Sequence, residues 1–279
     1  MSSLLNYGDC VGCGLCMIGC PAYEEVSSEA HTAKGRNRML QAGLKAPDMV
    51  EAIDACTLCG YCDAVCPKHV ENVEIVLKLR RDLNGASSLS APAARPLVLG
   101  CTLRDKAPQL IPSILDFLKR VGRSDAPESA GCCGSWDVEA GRATRARVKA
   151  DVVCDPVCLE QYEADFLGEL AMKRLDLFDL KPPFYYFAPH RLINGDHARY
   201  YPLYHSLREK TGCEMSLDLN RLARSTSAGS VNPRDVGAAV KRLLRHSKAE
   251  RIITCSPAEY LAFREHSGRE TKFITECLK

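Results

Sequence analysis

Two cysteine runs with one spacing stand near the start of the chain, Cys10-x2-Cys13-x2-Cys16-x3-Cys20-Pro21 and Cys56-x2-Cys59-x2-Cys62-x3-Cys66-Pro67. A thiolate every third residue lets three sulfurs converge on one side of a short loop while the intervening amides point at the same place. That is the ligand pattern of a cubane 4Fe-4S cluster. A chain that must close two such loops is constrained before any helix or strand is considered. Disulfides are a poor alternative, because they belong to small secreted chains, and residues 1–30 carry no apolar core of a signal peptide. Zinc is usually served by paired Cys-x2-Cys hooks that close one tetrahedron. Here a third cysteine and a Cys-Pro recur in both runs, which a closed zinc site does not need, so zinc fits less well than an iron–sulfur cluster.

Three thiolates leave each cluster one ligand short. In two-cluster ferredoxins the last cysteine of each run crosses to the other cluster. On that pattern Cys10, Cys13, Cys16 and Cys66 hold one cubane, and Cys56, Cys59, Cys62 and Cys20 hold the second.

Composition narrows the class. With 279 residues the chain is long enough for two or three compact units. The 37 basic and 35 acidic residues leave a formal charge of +2, so no strong field favours nucleic acid. No run approaches the roughly 18 consecutive apolar residues of a membrane span. The chain is expected to be cytoplasmic, without a transmembrane segment of its own, and able to sit at the periphery of a membrane on its cytoplasmic side. Sixteen cysteines in such a chain exceed what packing requires and point to metal or redox chemistry.

The pattern along the chain changes once. Residues 1–84 read as helical, with helix formers over 35–42 and 48–55 and a closing helix over 68–84, where Val70, Val73, Val76, Leu77 and Leu83 recur at helical intervals. Residues 85–95 read as a linker. Beyond them, short apolar strands over 96–100, 151–154, 184–187 and 251–254, with a fifth over 272–275, alternate with expected helices over 109–121, 138–150, 158–175, 235–246 and 257–265. That alternation predicts an α/β unit with a largely parallel sheet. The expected whole is α+β: a helical domain over 1–84, a first α/β half over 96–180 and a second over 181–279.

A second cysteine set follows the strands. Cys101 stands just past the first, Cys132-Cys133-Gly134 lies in a glycine-bearing loop, and Cys154 and Cys158 follow the next. Open parallel sheets place ligands at such strand ends. Buried structural thiols are the plainer reading, but a Gly-flanked cysteine pair at a strand end is hard to obtain from packing alone.

At these residues the chain resembles the cysteine-rich CCG-domain proteins that carry an N-terminal ferredoxin unit. These are heterodisulfide reductase subunits and their relatives, the iron–sulfur subunits of glycolate oxidase, glycerol-3-phosphate dehydrogenase and thiol:fumarate reductase. The resemblance implies an α-helical ferredoxin domain fused to a CCG domain of two Rossmann-like halves. It also implies a noncubane 4Fe-4S cluster held by Cys101, Cys132, Cys133, Cys154 and Cys158, where a thiol or disulfide substrate exchanges electrons. One departure stands out, because the usual Cys-Pro-x-Cys is here Cys154-Asp-Pro-Val-Cys158, one residue longer. The second copy of the motif is eroded: His190 stands where its first cysteine is expected, residues 224–230 replace Cys-Cys-Gly, and only Cys255 remains. His190 reads as a hydrogen-bonded structural residue rather than a ligand, and Cys213 and Cys277 as ordinary thiols. The implied partners are a flavoprotein (FAD) subunit, further iron–sulfur or membrane-anchor subunits, and a small thiol, disulfide or protein-bound sulfur substrate. The rival expectation is an electron-transfer subunit of a flavin-dependent dehydrogenase for succinate, glycolate, lactate or glycerol phosphate, relaying electrons to quinone. No Gly-x-Gly-x-x-Gly occurs, so a flavin or nicotinamide site belongs to another chain.

Overall fold

The computed structural model describes residues 6–88, 95–123, 132–144 and 146–279. Its first part is helical. Cys20 caps α1 (Pro21–Val26), where Pro21 occupies the first turn and needs no amide donor. α2 (Ala33–Gln41) starts at Thr32, whose hydroxyl accepts from the Gly35 amide at 3.2 Å. α3 (Val50–Asp54) and α4 (Tyr61–Ala64) flank the second cysteine run. α5 (Asn72–Asn84) turns Ile75, Val76 and Leu79 onto Met49, Ile53, Leu58 and Val70, and Gly85 ends it in the left-handed conformation. The three helices expected from the sequence are therefore present as α2, α3 and α5. Of the expected linker, residues 89–94 lie outside the described residues, and β1 (Ser87–Ser88) precedes them.

The rest is strand and helix in alternation. First come β2 (Arg95–Val98), α6 (Ile111–Arg120), α7 (Ser135–Glu139), β3 (Ala143–Thr144), β4 (Val148–Val153), α8 (Pro156–Leu159), β5 (Tyr162–Phe166) and α9 (Leu167–Lys173). Then follow β6 (Tyr185–Phe187), α10 (His190–Gly195), α11 (His197–Thr211), β7 (Glu214–Met215), α12 (Val236–Leu244), β8 (Arg251–Thr254), α13 (Pro257–His266) and β9 (Glu270–Phe273). Every ladder among these strands is parallel. The sheet orders are β1-β3, β2-β4-β5 and β7-β6-β8-β9.

Two expected helices are corrected. Residues 138–150 hold the end of α7, then β3 and the start of β4, because Gly141 breaks the helix at φ +72 and the β-branched Val148, Val152 and Val153 pair as a central strand. Residues 158–175 hold β5 between two short helices. There Tyr162 and Phe166 face the core while Glu163 is exposed, a strand's alternation that the sequence pattern obscured.

Both faces of the four-stranded sheet are covered. Tyr186, Ile253 and Phe273 join Val152, Phe166 and Phe117 in one core that runs from the first sheet into the second. On the opposite face Tyr185, Phe187 and Ile252 meet Val240, Leu244 and Phe263 from α12 and α13. Burial on both faces explains why these strands read as continuous apolar runs. Each such side chain contributes about 1.5–3 kcal/mol by leaving water.

The helical part is clamped to the sheets by polar contacts. Arg80 Nη1 donates to Glu139 O at 2.8 Å, Asn194 Nδ2 to Cys59 O at 3.0 Å, and Tyr61 OH to Asp218 at 2.9 Å. Arg234 forks onto Glu25 at 2.8 and 3.0 Å, and Arg224 pairs with Glu24. At Gly141 the α7 end passes so close to α5 that an added Cβ would lie 2.3 Å from the Arg80 carbonyl carbon. Gly141→Ala is therefore expected to lower stability by about 1–3 kcal/mol through backbone strain and to part α7 from α5. A thermal melt of the variant beside the parent checks it.

Candidate functional site

The first cysteine run and the end of the second share a cavity. Cys10, Cys13, Cys16, Cys66 and also Cys62 line it, with Gly12, Gly14, Lys34 and Asn72. Burial pushes the Cys16 thiol up to about 11; the Lys34 amide opposes this, and the charges of Cys20, Cys10 and Cys13 add to it. The Val70 amide donates to Cys66 Sγ at 3.4 Å. Cys13 is exposed, and around it Val11 and Ile18 keep 56% and 59% of their surface in water.

The remaining three, Cys20, Cys56 and Cys59, lie outside that cavity, and Cys59 is buried. Burial raises Cys59 to about 12, helped by Cys20 and Cys56. Cys20 is raised by burial and by Cys56, against amide donors at Tyr23 and Ala22 and the charge of Arg36. Cys62 is raised by burial, then by Asp63, Cys56 and Cys59. Cys20 thus lies within electrostatic reach of both runs, raising Cys16 and Cys59 alike, and Cys66 shares the cavity of the first run. Among the described residues no three His, Cys, Asp or Glu side chains close around a single ion. The donor set suits a larger polynuclear centre: crowded thiols that raise one another's pKa, with backbone N–H groups aimed at sulfur. Only a cationic core can hold such crowded groups as thiolates.

A third thiol group sits at the carboxyl edge of the first sheet. The parallel ladder brings the ends of β2 and β4 side by side. Gly100, at φ +90, lets the chain leave β2 past the next loop; a Cβ there would stand 2.8 Å from Asp155 Cβ and 3.2 Å from Cys158 Sγ. Cys101 then follows, its Sγ 3.5 Å from Cys132 Sγ, and the Gly134 amide donates to Cys132 at 3.3 Å. Cys133 Sγ lies 3.1 Å from Ser135 Oγ, which donates to Val157 O at 3.0 Å. A hydrogen bond with Cys133 raises Cys158, and burial adds to it. Cys101 is pushed up to about 11 by burial, then by Cys132 and Cys133. Four of the five expected ligands are therefore brought together. The fifth, Cys154, is fully buried at the end of β4, where burial and the Asp155 charge raise its thiol. Gly134 turns the backbone after Cys132-Cys133 at φ +76, and Gly131, before the pair, lies outside the described residues.

Sequence reasoning missed Asp155. It is the extra residue of the longer motif, caps α8 by accepting from Val157 N at 3.0 Å, and burial raises it to about 7. The signal was an Asp directly before Pro156 at a strand exit. Glu259 was missed as well. Cys255-Ser256-Pro257-Ala258-Glu259 repeats Cys154-Asp155-Pro156-Val157-Cys158 position for position, with Glu259 in place of Cys158.

At the eroded copy the thiols give way to a closed polar network. His190 Nε2 lies 3.1 Å from Ser225 Oγ, and its Nδ1 3.7 Å from Glu259 Oε1. Glu259 also accepts from Thr226 at 3.3 Å and from Ser256. All five residues are buried. Cys255 is buried 3.5 Å from Tyr204 OH, and Cys213 and Cys277 are buried thiols. Beside the network, Arg191 pairs with Glu139 and, at 3.2 Å, with Glu160, and donates to Gly229 O at 3.0 Å.

A helical scaffold bearing eight thiols, beside parallel sheets, has the donor set of an iron–sulfur protein. Residues 7–70 match the 4Fe-4S dicluster domain, so this segment binds 4Fe-4S cluster. The chain is similar to the glycolate oxidase iron-sulfur subunit of Escherichia coli K12, with 28% identity over 120 residues, 40% of this chain and 28% of that protein. It is also similar to the probable glycolate oxidase iron-sulfur subunit of Bacillus subtilis 168, with 32% identity over 83 residues, 28% of this chain and 18% of that protein. The chain thus spans less than a third of the length of these curated relatives. No solved structure matches it significantly. Among the described residues no helix is long and apolar enough to cross a membrane.

His190 supplies a pH test. Burial, with Arg191 adding to it, pushes its imidazole down to about 3 from the ordinary 6.5. The unfolded chain therefore takes up a proton that the folded chain refuses. Stability is expected to fall as pH drops from about 6.5 towards about 3, and His190→Gln should flatten that slope in denaturation curves run across the range.

Proposed function

We propose that this chain is the iron–sulfur subunit of a heterodisulfide reductase-like complex, built as a helical domain over 1–84 and two α/β halves over 96–180 and 181–279. Cys10, Cys13, Cys16, Cys66 and Cys56, Cys59, Cys62, Cys20 would hold two cubane clusters, and Cys101, Cys132, Cys133, Cys154 and Cys158 a noncubane one, which together would supply single-electron transfer between a flavoprotein partner and a sulfur substrate. The observation that carries this reading is the convergence of Cys101, Cys132, Cys133 and Cys158 at one strand edge, with Cys101 and Cys132 sulfurs 3.5 Å apart. A cluster held there supplies single-electron steps to sulfur chemistry.

The chain's own residues arrange the reaction. Cys132 is exposed at the rim and Cys133 buried behind it, so a sulfur substrate meets the site from the Cys132 side. The Gly134 amide steadies the Cys132 sulfur, and Ser135 ties Cys133 to the loop that carries Cys158. The balance is a disulfide plus two electrons and two protons giving two thiols. The flavoprotein supplies or accepts the electrons, and the complex works in the cytoplasm or at the cytoplasmic face of a membrane.

A second reading has its own support in the similarity to glycolate oxidase iron-sulfur subunits. In it the same centres relay electrons from a flavin-dependent dehydrogenase towards quinone, and the sulfur site is one more relay station.

Iron analysis of anaerobically purified protein is expected to give about twelve irons per chain, against about eight with one zinc if the α/β part is a docking module. Cys133→Ser is expected to abolish disulfide turnover while both cubane EPR signals persist. Retained turnover overturns the sulfur reading. A third centre whose spectrum ignores every added thiol and disulfide points to the relay.

A further inference from the structure

The two cysteine runs turn through the same loop in different surroundings. Cys13-Gly14-Leu15-Cys16 and Cys59-Gly60-Tyr61-Cys62 align position for position, and both glycines take positive φ, +83 at Gly14 and +76 at Gly60. In the first run Cys13 is exposed and Leu15 keeps 43% of its surface in water. Among the described residues, and beyond its chain neighbours, the one heavy atom within 4 Å of a Cβ built on Gly14 is Met17 Sδ, from the same run. Arg38 packs over nearby Gly12 but is itself exposed. In the second run Cys59 is buried and Tyr61, in the place of Leu15, keeps 1%.

The cover comes from the second α/β half. Asn194 on α10, 4% exposed, donates from Nδ2 to Cys59 O and to Ala223 O, both at 3.0 Å, and its Oδ1 accepts from Ala223 N at 3.0 Å. A Cβ on Gly60 would stand 3.3 Å from Asn194 Cβ, so the glycine lets the helix approach. Leu222 packs with Cys59 and Tyr61. Tyr61 OH donates to Asp218, whose other oxygen accepts from the Asn220 and Leu222 amides at 2.9 and 3.0 Å. Three residues before Asn194, Arg191 holds Glu139 and Glu160. One six-residue helix, opening at His190, therefore touches both the second cysteine run and the loops of the third thiol group.

We propose that Asn194 is a positioning residue for the second run. With Leu222 and the bond from Tyr61 to Asp218 it closes the loop from Cys59 to Cys62 over the iron centre that this loop helps to hold, while the matching loop of the first run is left open. Iron is lost when a ligand loop opens and lets water or a chelator in, so the pinned loop should guard its centre the longer. The inference rests on the two-cubane reading above. It gives the half whose own cysteine motif is eroded a part in holding a centre of the helical domain.

The test is anaerobic iron release from the loaded full-length protein to ferrozine, an iron(II) chelator, with EPR spectra of dithionite-reduced samples following the two cubane signals. In the parent one signal should outlast the other. Asn194→Ala should speed loss of the longer-lived signal about tenfold, the scale of one buried hydrogen bond in a local opening, and leave the shorter-lived one at its parent rate. Tyr61→Phe keeps the ring and removes only the bond to Asp218. It should speed loss of the same signal by a smaller factor, and it carries the test if Asn194→Ala does not fold. Equal lifetimes in the parent overturn the inference, as does an unchanged longer-lived signal in loaded Asn194→Ala or, failing that variant, in Tyr61→Phe. Equal acceleration of both signals, the mark of a general loosening, also overturns it. Fewer than about eight irons in the parent protein sinks the two-cubane reading itself.

Discussion

Mutual repulsion of thiolates is the constraint on which the molecule is organised. Eight cysteines are packed into the helical part, and those with resolved shifts, Cys16, Cys20, Cys59 and Cys62, are all driven upward by burial and by neighbouring thiols. Loops of this kind cannot hold their shape on apolar packing alone, because short α1 and α4 bury little. In the proposed ligand sets Cys20 and Cys66 are exchanged between the two runs, which would make each loop depend on the other. Between the runs stand α2 and α3, and α5 closes the core beneath, with Ile75, Val76 and Leu79 on Ala52 and Ile53.

That organisation was legible in the sequence where chemistry leaves a fixed spacing. The cysteine runs and the amphipathic face of α5 announce themselves locally. The strand-end position of Cys101 was also readable, since a short apolar run ending in Gly100-Cys101 has few other meanings. The reading failed where tertiary pairing overrides local preference. Tyr162–Phe166 lies among good helix formers and becomes a strand because β4 offers it a parallel edge. Residues 143–153 carry Ala, Arg and Lys that favour a helix, yet Val152 and Val153 sit between β2 and β5 with both neighbours paired. Asp155 and Glu259 were invisible for another reason, because their roles appear only once two distant loops are set side by side.

The two α/β halves solve the same local problem with different chemistry. Each ends a strand with Cys-x-Pro and starts a helix there, and each must satisfy the polar groups that meet at the sheet edge. In the first half those groups are thiols that a metal centre can hold. In the second, His190, Ser225, Thr226, Ser256 and Glu259 satisfy one another and leave no exposed donor, so the edge is sealed by hydrogen bonds.

Arg191 gives this division of labour a mechanical side. It stands next to His190 yet grips Glu139 at the far end of the helix that follows Cys133, and Glu160 just after Cys158. The second half is thus the anvil against which the first is shaped: the placement of the Cys133 and Cys158 loops is set partly by a side chain from the other half.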